Sequence, residues 1–481
     1  MAFTGIFFIL GWLILFVGIA QLAMVLLAFA FFEYTKAVIF LEAGLITVFV
    51  GGGMVIALRN MGVDPDRRDG LPLLFLSAVF VPLFAALPLT AALEGLTIGQ
   101  AWFEAVSMLT TTGLSMLGPP EDQGHSILLW RAFLGWLGGM WWLVIGIVML
   151  TGLSIGGLQP SMAPVAHGEG ETLMRRMRVT ARLVLPLYGG ATLVGAMALA
   201  MAGLHPFDAV VHALSAVSTS GVSSLNGSVT GFGLWHVEML VLLLCLFGAF
   251  NITLLLRAAA VRGKALRADI EWPVVLIVGL VAALILIAES RIDGTWEGWR
   301  GAVDALFVGV SFATTTGFGS DLVVGPLGLF ILLGAMIVGG AVASTAGGIH
   351  PARIALLLKH GTAEIQRLIY PHRVTPQRLA KQRVEPQFMR AVVAFLALYL
   401  ATLAALTLGL SIGGLDLADA GIGALSALTS TGPALPLLGP GGVNGDDLSS
   451  LAKLVYAVGM VAGRLDLFAF LVIFLPGFWR R

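Results

Sequence analysis

The chain has 481 residues, 58% hydrophobic and only 11% charged, with a mean hydropathy of +0.96. About a quarter of an ordinary soluble domain is charged, so the composition excludes that class and points to a polytopic membrane protein. The net charge of zero conceals a strong spatial bias, and the single Cys245 excludes an intramolecular disulfide framework and any multi-cysteine metal site, leaving it to pack as a small apolar residue.

The first apolar run, Ala2 to Phe32, has no basic leader and is about twice the length of a signal-peptide core, which predicts a retained helix. Glu33 to Lys36 makes a short turn, and Val38 to Leu58 is long enough for a second span. Residues 1–70 therefore read as a leading transmembrane hairpin. Beyond it a short motif occurs four times: AVSMLTTTG ending at Gly113, ALSAVSTSG at Gly221, GVSFATTTG at Gly317 and ALSALTSTG at Gly432. Each copy has a serine six residues before the glycine (Ser107, Ser215, Ser311, Ser426) and three hydroxyl residues directly before it. The glycines are 108, 96 and 115 residues apart, which marks an internal repeat of about a hundred residues.

Every repeat has the same three parts. A long apolar stretch (71–93, 183–204, 272–288, 391–410) is followed by a shorter apolar piece running into the motif, and a second long stretch closes the unit (126–150, 233–260, 327–358, 448–475). The short piece cannot cross a bilayer core of about 30 Å. The order predicts helix, re-entrant half-helix with loop, helix, with repeats at 71–160, 161–262, 263–385 and 386–481. Irregular backbone at membrane depth survives only inside protein or beside a water-filled cavity. Four such loops should therefore converge on one axis and line a pore, giving an all-α fold with ten spans around a pseudo-fourfold centre.

Lysine and arginine fix the expected orientation. Arg59, Arg67, Arg68, Arg175, Arg176, Arg178, Arg182, Arg257, Arg262, Lys264, Arg267, the basic run from Arg353 to Arg390, and Arg480 and Arg481 all fall on one side. That side is cytoplasmic by the positive-inside rule, with both termini there. Glu121, Asp122, Asp293, Glu297, Asp446 and Asp447 lie on the other. The basic run is read as a topology determinant that also suits a cytosolic partner, not as a nucleic-acid site.

The motif suits a cation that must shed water, because rings of fixed carbonyl oxygens replace hydration in selectivity filters. Glycine permits the backbone angles that turn carbonyls inward, and hydroxyls satisfy freed backbone groups nearby. The candidate filter residues are Thr110, Thr111, Thr112 and Gly113; Ser218, Thr219, Ser220 and Gly221; Thr314, Thr315, Thr316 and Gly317; and Thr429, Ser430, Thr431 and Gly432. Thirteen residues before the glycine, Asp208, Asp304 and Asp419 are expected to cap half-helix N-termini, with an outer cation-attracting ring as the alternative, while repeat one has Gln100 there and Glu104 one turn later. Packing of small hydroxyl residues between helices explains one copy but not a fourfold register.

Two features concern gating. The run GGAVASTAGG, residues 339–348, sits inside an apolar stretch but is too rich in glycine to remain a regular helix. Gly339, Gly340, Ser344, Thr345, Gly347 and Gly348 are its candidate gate residues, although close helix packing is an alternative use of small residues. Arg464 lies deep in the last apolar stretch, where a charge is expensive and faces a cavity or a partner. Asp466, two residues on, points to a different helix face, so Arg464 is read as facing the pore as a fixed positive charge, with snorkelling or a salt bridge to another element as the alternatives.

The four motifs, SILLWRAFLGWLGGM (126–140), GGAVASTAGGIHPARIALLLK (339–359) and the end LAKLVYAVGMVAGRLDLFAFLVIFLPGFWR (451–480) resemble the TrkH/KtrB family of potassium-uptake membrane subunits, and the leading hairpin resembles its TrkH branch. The resemblance spans the chain. It implies a pseudo-fourfold potassium pore within one protomer of a homodimer in the cell inner membrane, with potassium at the filter carbonyls and no cofactor in the chain. It also implies a separate TrkA-like cytosolic subunit that binds nucleotides. It further implies that potassium and rubidium pass better than sodium and lithium, since serine at the first filter glycine goes with sodium permeation in the wider superfamily. GPALPLLGP, residues 432–440, departs from the family at the place of a second glycine, and repeat two lacks an aromatic residue after Gly221.

The chain carries no catalytic constellation: its histidines are scattered without metal-ligand spacing, with His212 read as a packing residue, and it has neither a GxGxxG after a strand nor a Walker motif. The remaining rival is a proton- or sodium-coupled symporter using buried carboxylates such as Glu104, Glu238 or Glu289.

Overall fold

The structure, a computed structural model, describes residues 3–61, 65, 69–93, 95–153, 172–226, 228–260, 269–370, 378–379, 382–383, 386–465 and 467–479. Arg67, Arg68, Arg262, Lys264, Arg267, Asp466, Arg480, Arg481 and part of the basic run before Arg390 lie outside the described residues.

The leading hairpin is α1 (Phe3–Ala30) and α2 (Tyr34–Leu58). The two helices meet backbone to backbone because glycines face each other seven residues apart. A Cβ on Gly18 would stand 2.7 Å from Val48 N, and one on Gly51 would stand 2.4 Å from Leu15 N. Small residues at a helix contact replace the hydrophobic drive that lipid cannot supply.

Repeat one comprises α3 (Gly70–Ala85), α4 (Leu87–Ala92), the half-helix α5 (Ile98–Leu109) and α6 (His125–Leu153). Pro82 removes a backbone donor and bends the first span. Gln21 of α1 donates to the Phe84 carbonyl at 2.8 Å and the Trp130 indole to that of Ala85 at 3.1 Å, so the oxygens at the bend are satisfied inside the membrane as they must be.

Repeat two has α7 (Leu173–Met201), the half-helix α8 (Pro206–Ser218), α9 (Trp235–Ala249) and α10 (Ile252–Ala260). Repeat three has α11 (Glu271–Ile292), the half-helix α12 (Trp299–Ala313), α13 (Pro326–Val338) and α14 (Pro351–Ile369). A two-residue antiparallel pair, β1 (Arg378–Leu379) with β2 (Gln382–Arg383), precedes repeat four. That repeat has α15 (Pro386–Ile412), the half-helix α16 (Leu417–Thr429), α17 (Ala434–Leu438), α18 (Ser450–Leu465), α19 (Leu467–Val472) and α20 (Pro476–Trp479).

Seven described helices are long and apolar enough to cross a membrane on their own, and the chain is a multi-pass membrane protein. The sequence reading expected ten continuous spans. The closing stretches of repeats two, three and four are instead divided between shorter helices: α9 with α10, α13 with α14, and α18 with α19. Around the centre the closing helix of each repeat packs on the next half-helix: α6 on α8, α9 on α12, α13 on α16 and α18 back on α5. That succession closes a ring.

Candidate functional site: four hydroxyl–glycine turns and the loop beneath them

The ring brings the four motif turns together with one hydrogen-bond scheme. The first hydroxyl of each triplet donates to a half-helix carbonyl: Thr110 to Val106 at 2.7 Å, Ser218 to Leu214 at 2.8 Å, Thr314 to Ser311 at 2.9 Å and Thr429 to Leu425 at 2.9 Å. First and third hydroxyls pair in all four copies, Thr110 with Thr112 at 2.9 Å, Ser218 with Ser220 at 3.0 Å, Thr314 with Thr316 at 2.9 Å and Thr429 with Thr431 at 3.1 Å. The third N–H donates to the carbonyl of the serine that opens the motif: Thr112 to Ser107, Ser220 to Ser215, Thr316 to Ser311 and Thr431 to Ser426. The serines thus serve through their backbone oxygen, and two also through the hydroxyl: Ser107 Oγ donates to the Leu114 carbonyl and Ser426 Oγ to the Thr431 carbonyl, both at 2.7 Å.

The middle residue of every triplet is left-handed: Thr111 at φ 56°, Thr219 at 53°, Thr315 at 56° and Ser430 at 54°. For β-branched threonine this conformation is strained, at a cost of about 1–3 kcal/mol each. Gly113, Gly221 and Gly317 follow at φ 81°, 69° and 78°. Gly432 is the exception to the expected glycine geometry. It is not left-handed, and its N–H donates to the Thr112 carbonyl at 2.6 Å. Pro433 then fixes the chain and α17 begins one residue later. A Cβ built on Gly113, Gly221 or Gly317 would lie 3.8, 3.0 or 3.2 Å from the Pro433 ring, so this ring stands among the glycines of the other three repeats.

A vestibule of about 610 Å³ opens on one side of the turns, lined by Gly113, Gly221, Gly317 and Pro433 and by Asp321, Asp446, Asp447 and Arg131. The exit of the first turn is braced by buried charge. Glu104 accepts from Arg131 Nε at 2.8 Å and from Met116 N–H at 2.7 Å, and Arg131 also donates to Gln123 at 2.8 Å. Lys36 of the hairpin donates to the Gln123 carbonyl at 2.8 Å. His212 occupies the place of Glu104 in repeat two. Its Nδ1 donates to the Asp208 carbonyl at 2.8 Å and its Nε2 meets Ser223 Oγ at 3.2 Å, which makes it the satisfied packing residue expected.

Asp208 stays in the first turn of α8, but two of the carboxylates expected to cap half-helices have other partners. Asp419 accepts from Gly441 N–H at 3.2 Å, and Asp304 lies 3.1 Å from Arg300. Capping falls instead to Thr97, in a reciprocal box with Gln100, and to the His205 ring.

On the other side of the turns lies the small-residue run. It is not helical: α13 ends at Val338 and α14 begins at Pro351, with Gly339, Ala343, Gly348 and His350 all at positive φ. The loop is fastened directly to the turns. Thr345 Oγ1 donates to the Val217 and Gly248 carbonyls at 3.1 and 2.9 Å and meets Thr219 Oγ1 at 3.2 Å, while Gly347 N–H donates to Thr315 Oγ1 at 2.8 Å. The middle hydroxyls of repeats two and three therefore hold the loop. Those of repeats one and four, Thr111 and Ser430, are buried without a hydrogen-bond partner among the described residues.

The loop also lies along the break between α9 and α10. Ala341 N–H donates to Ala249, Thr345 N–H to Gly248 and Ile252 N–H to Ala343, and Val342 N–H donates to buried Glu271 at 3.1 Å. Asn251 caps α10 and donates to the same carboxylate at 3.4 Å. Arg464 of α18 donates through one terminal nitrogen to the Thr345 carbonyl at 2.7 Å, and its other two nitrogens have no hydrogen-bond partner among the described residues. A cavity of about 140 Å³ below the loop is lined by Val342, Ala343, Ser344, Gly347, Arg353 and Arg464. Among the described residues there is no cluster of side chains able to hold a metal ion.

A sequence profile described as "TrkH: Cation transport protein" matches residues 36–271 and 274–480. The chain is 31% identical over 480 residues to the Trk system potassium uptake protein TrkH of Halomonas elongata, covering 98% of each chain. It is 30% identical over 448 residues to the protein of that name from Escherichia coli strain K12, covering 89% of this chain and 91% of the relative. Among solved structures it resembles the crystal structure of the potassium transporter TrkH from Vibrio parahaemolyticus, with a TM-score of 0.89, 28% identity and complete coverage of both chains.

Proposed function

Because the chain belongs to the TrkH family of cation transport proteins, we propose that it takes up potassium across the cell membrane through a passage lined by the four hydroxyl–glycine turns. One observation carries this reading: the same strained, hydrogen-bonded turn is built four times and gathered between a vestibule of about 610 Å³ and a cavity of about 140 Å³. In this reading the carbonyls of the triplets and of Gly113, Gly221, Gly317 and Gly432 replace potassium's water. The acidic residues Asp321, Asp446 and Asp447 draw cations to the entrance.

The loop of residues 339–350 acts as the gate. Its place directly beneath Thr219 and Thr315 supports that role, as does the bond from Arg464 to Thr345. A unit charge about 4 Å from a passing cation costs roughly 4 kcal/mol at an effective dielectric of 20, which is enough to keep the path shut at rest. Movement of the loop, driven by a TrkA-like cytosolic nucleotide-binding subunit on the basic side, opens it. The protein works as a homodimer in the inner membrane, with both termini cytoplasmic.

The same observations support passive conduction over coupled transport. Glu104, Glu238 and Glu289 each have structural duties: Glu104 on Arg131, Glu238 on Arg300 at 2.5 Å, and Glu289 on the Leu327 and Gly328 N–H groups, both at 2.8 Å. The test is ion flux from protein reconstituted in vesicles. Potassium and rubidium should pass well above sodium and lithium, and equal passage of all four would overturn the filter assignment.

A further inference from the structure

Behind the first turn, away from the central axis, is a cavity of about 280 Å³ with almost wholly carbon walls. It is bounded by Leu13, Phe16 and Val17 of α1, Ala78 and Val81 of α3, Leu137, Met140 and Trp141 of α6, and Ala181 of α7, and its inner end reaches Leu109 and Thr110. Phe16 and Arg178 line it and are exposed, so the slot opens between α1 and α7 onto the outside of the bundle. A carbon-lined space of this size holds no water. Hydrocarbon from the surrounding bilayer is the material at hand, and a guanidinium at the mouth adds a preference for negative charge. Arg175 and Arg182 are exposed on the same helix.

We propose that this slot holds one acyl chain of an anionic phospholipid from the leaflet on the basic side, with the lipid phosphate on Arg178. The tail lies against Leu109 and Thr110, where α5 gives way to the first turn. Thr110 hydroxyl is bonded to Val106 and Thr112, and the Trp142 indole, which also lines the slot, donates to the Leu109 carbonyl at 2.9 Å. An occupant thus touches the rear of the turn without entering the passage. The chemistry fits a bilayer lipid in two parts: an apolar slot of about 280 Å³, and a cation where a headgroup emerges.

The experiment compares the full-length protein with Arg178→Gln and Ala181→Phe, using phosphatidylglycerol and phosphatidylcholine with brominated chains. Native mass spectrometry reads bound lipid, and tryptophan quenching reports a brominated chain beside Trp141 and Trp142. The wild type should retain phosphatidylglycerol in preference to phosphatidylcholine and be quenched by it. Arg178→Gln should lose about fivefold of that preference, the value of one basic contact near a membrane surface. Ala181→Phe narrows the slot and should lose both retention and quenching at unchanged thermal stability. Equal retention of the two lipids by the wild type would overturn the proposal. So would Ala181→Phe retaining lipid with undiminished quenching, because the chain would then lie elsewhere. Arg178 is exposed, so its variant leaves the packed interior intact and reads the headgroup contact alone.

Discussion

Glu33 illustrates how single side chains hold this protein together. It lies in the turn of the leading hairpin and accepts from His125 N–H at 2.7 Å, Ser126 N–H at 3.1 Å and the Ser126 hydroxyl, serving as the cap that α6 does not carry itself. Burial pushes the Glu33 carboxyl up, but the Ser126 hydroxyl and N–H, the Lys36 charge and the His125 N–H outweigh it and hold the group below its ordinary 4.5. A lowered folded value stabilises the fold above the unfolded value and is lost as pH falls through the folded one. Thermal unfolding at neutral pH should therefore show Glu33→Gln less stable by about 1–2 kcal/mol, the worth of a helix cap. The two proteins should converge at acid pH, and a constant difference down to pH 3 would show that the carboxylate charge is not what matters. Arg464 offers a second residue-scale test. Arg464→Ala should leak cations with the selectivity order unchanged, whereas Arg464→Lys should keep part of the barrier. Loss of folded protein without added leak would mark it as structural. Gly113→Ser, in contrast, is a poor probe of selectivity. A Cβ there would stand 1.9 Å from the Ser220 carbonyl oxygen at a left-handed φ, so flux of every ion should fall along with stability.

Among the elements, the loop between α13 and α14 and Pro433, just before the short α17, stand nearest the four turns. Deleting Val342–Ser344 removes three of the loop residues that line the lower cavity but keeps the Thr345 and Gly347 anchors. Flux should rise and the order of ions should stay the same, since the turns above are untouched; a folded deletion protein with parental flux would point to packing as the loop's only role. Pro433→Ala should raise potassium flux severalfold by withdrawing a ring from among three glycines, and unchanged single-channel conductance would count against obstruction by that ring. The loop was legible from its glycines, because ten residues of that composition cannot sustain a helix. The half-helices were legible from their length. Pro433's position was not, because nothing in GPAL says that Gly432 will turn toward Thr112 and leave the left-handed region its three counterparts occupy. The close approaches of Gly138 to Leu109, Gly248 to Val217 and Gly463 to Leu428, where a Cβ would meet a half-helix carbonyl at 2.1–2.5 Å, were equally hidden. Single glycines at those places carry no local pattern, and only the packed ring gives them a purpose.

At the scale of the whole molecule, closure of the ring decides which charges remain free to move. Each closing helix packs against the next half-helix, and buried carboxylates are consumed both within and between repeats: Glu104 of α5 binds Arg131 of α6 inside repeat one, while Glu238 of α9 binds Arg300 of α12 across a seam. Proton coupling requires a carboxylate that changes charge while facing the transported ion. Neither of these, nor Glu289, is among the residues lining the vestibule or the lower cavity. Current through the reconstituted protein should therefore reverse at the potassium equilibrium potential, moving by about 59 mV per tenfold potassium gradient, and an imposed proton gradient should leave that value unchanged. Glu238→Gln supplies the complementary test. Its loss leaves Arg300 with Asp304 at 3.1 Å as its remaining carboxylate, so the variant should unfold at a lower temperature while its reversal potential stays with potassium. A wild-type reversal potential that follows pH, and a Glu238→Gln protein that no longer does, would transfer this carboxylate from the scaffold to the transport cycle and make the protein a symporter.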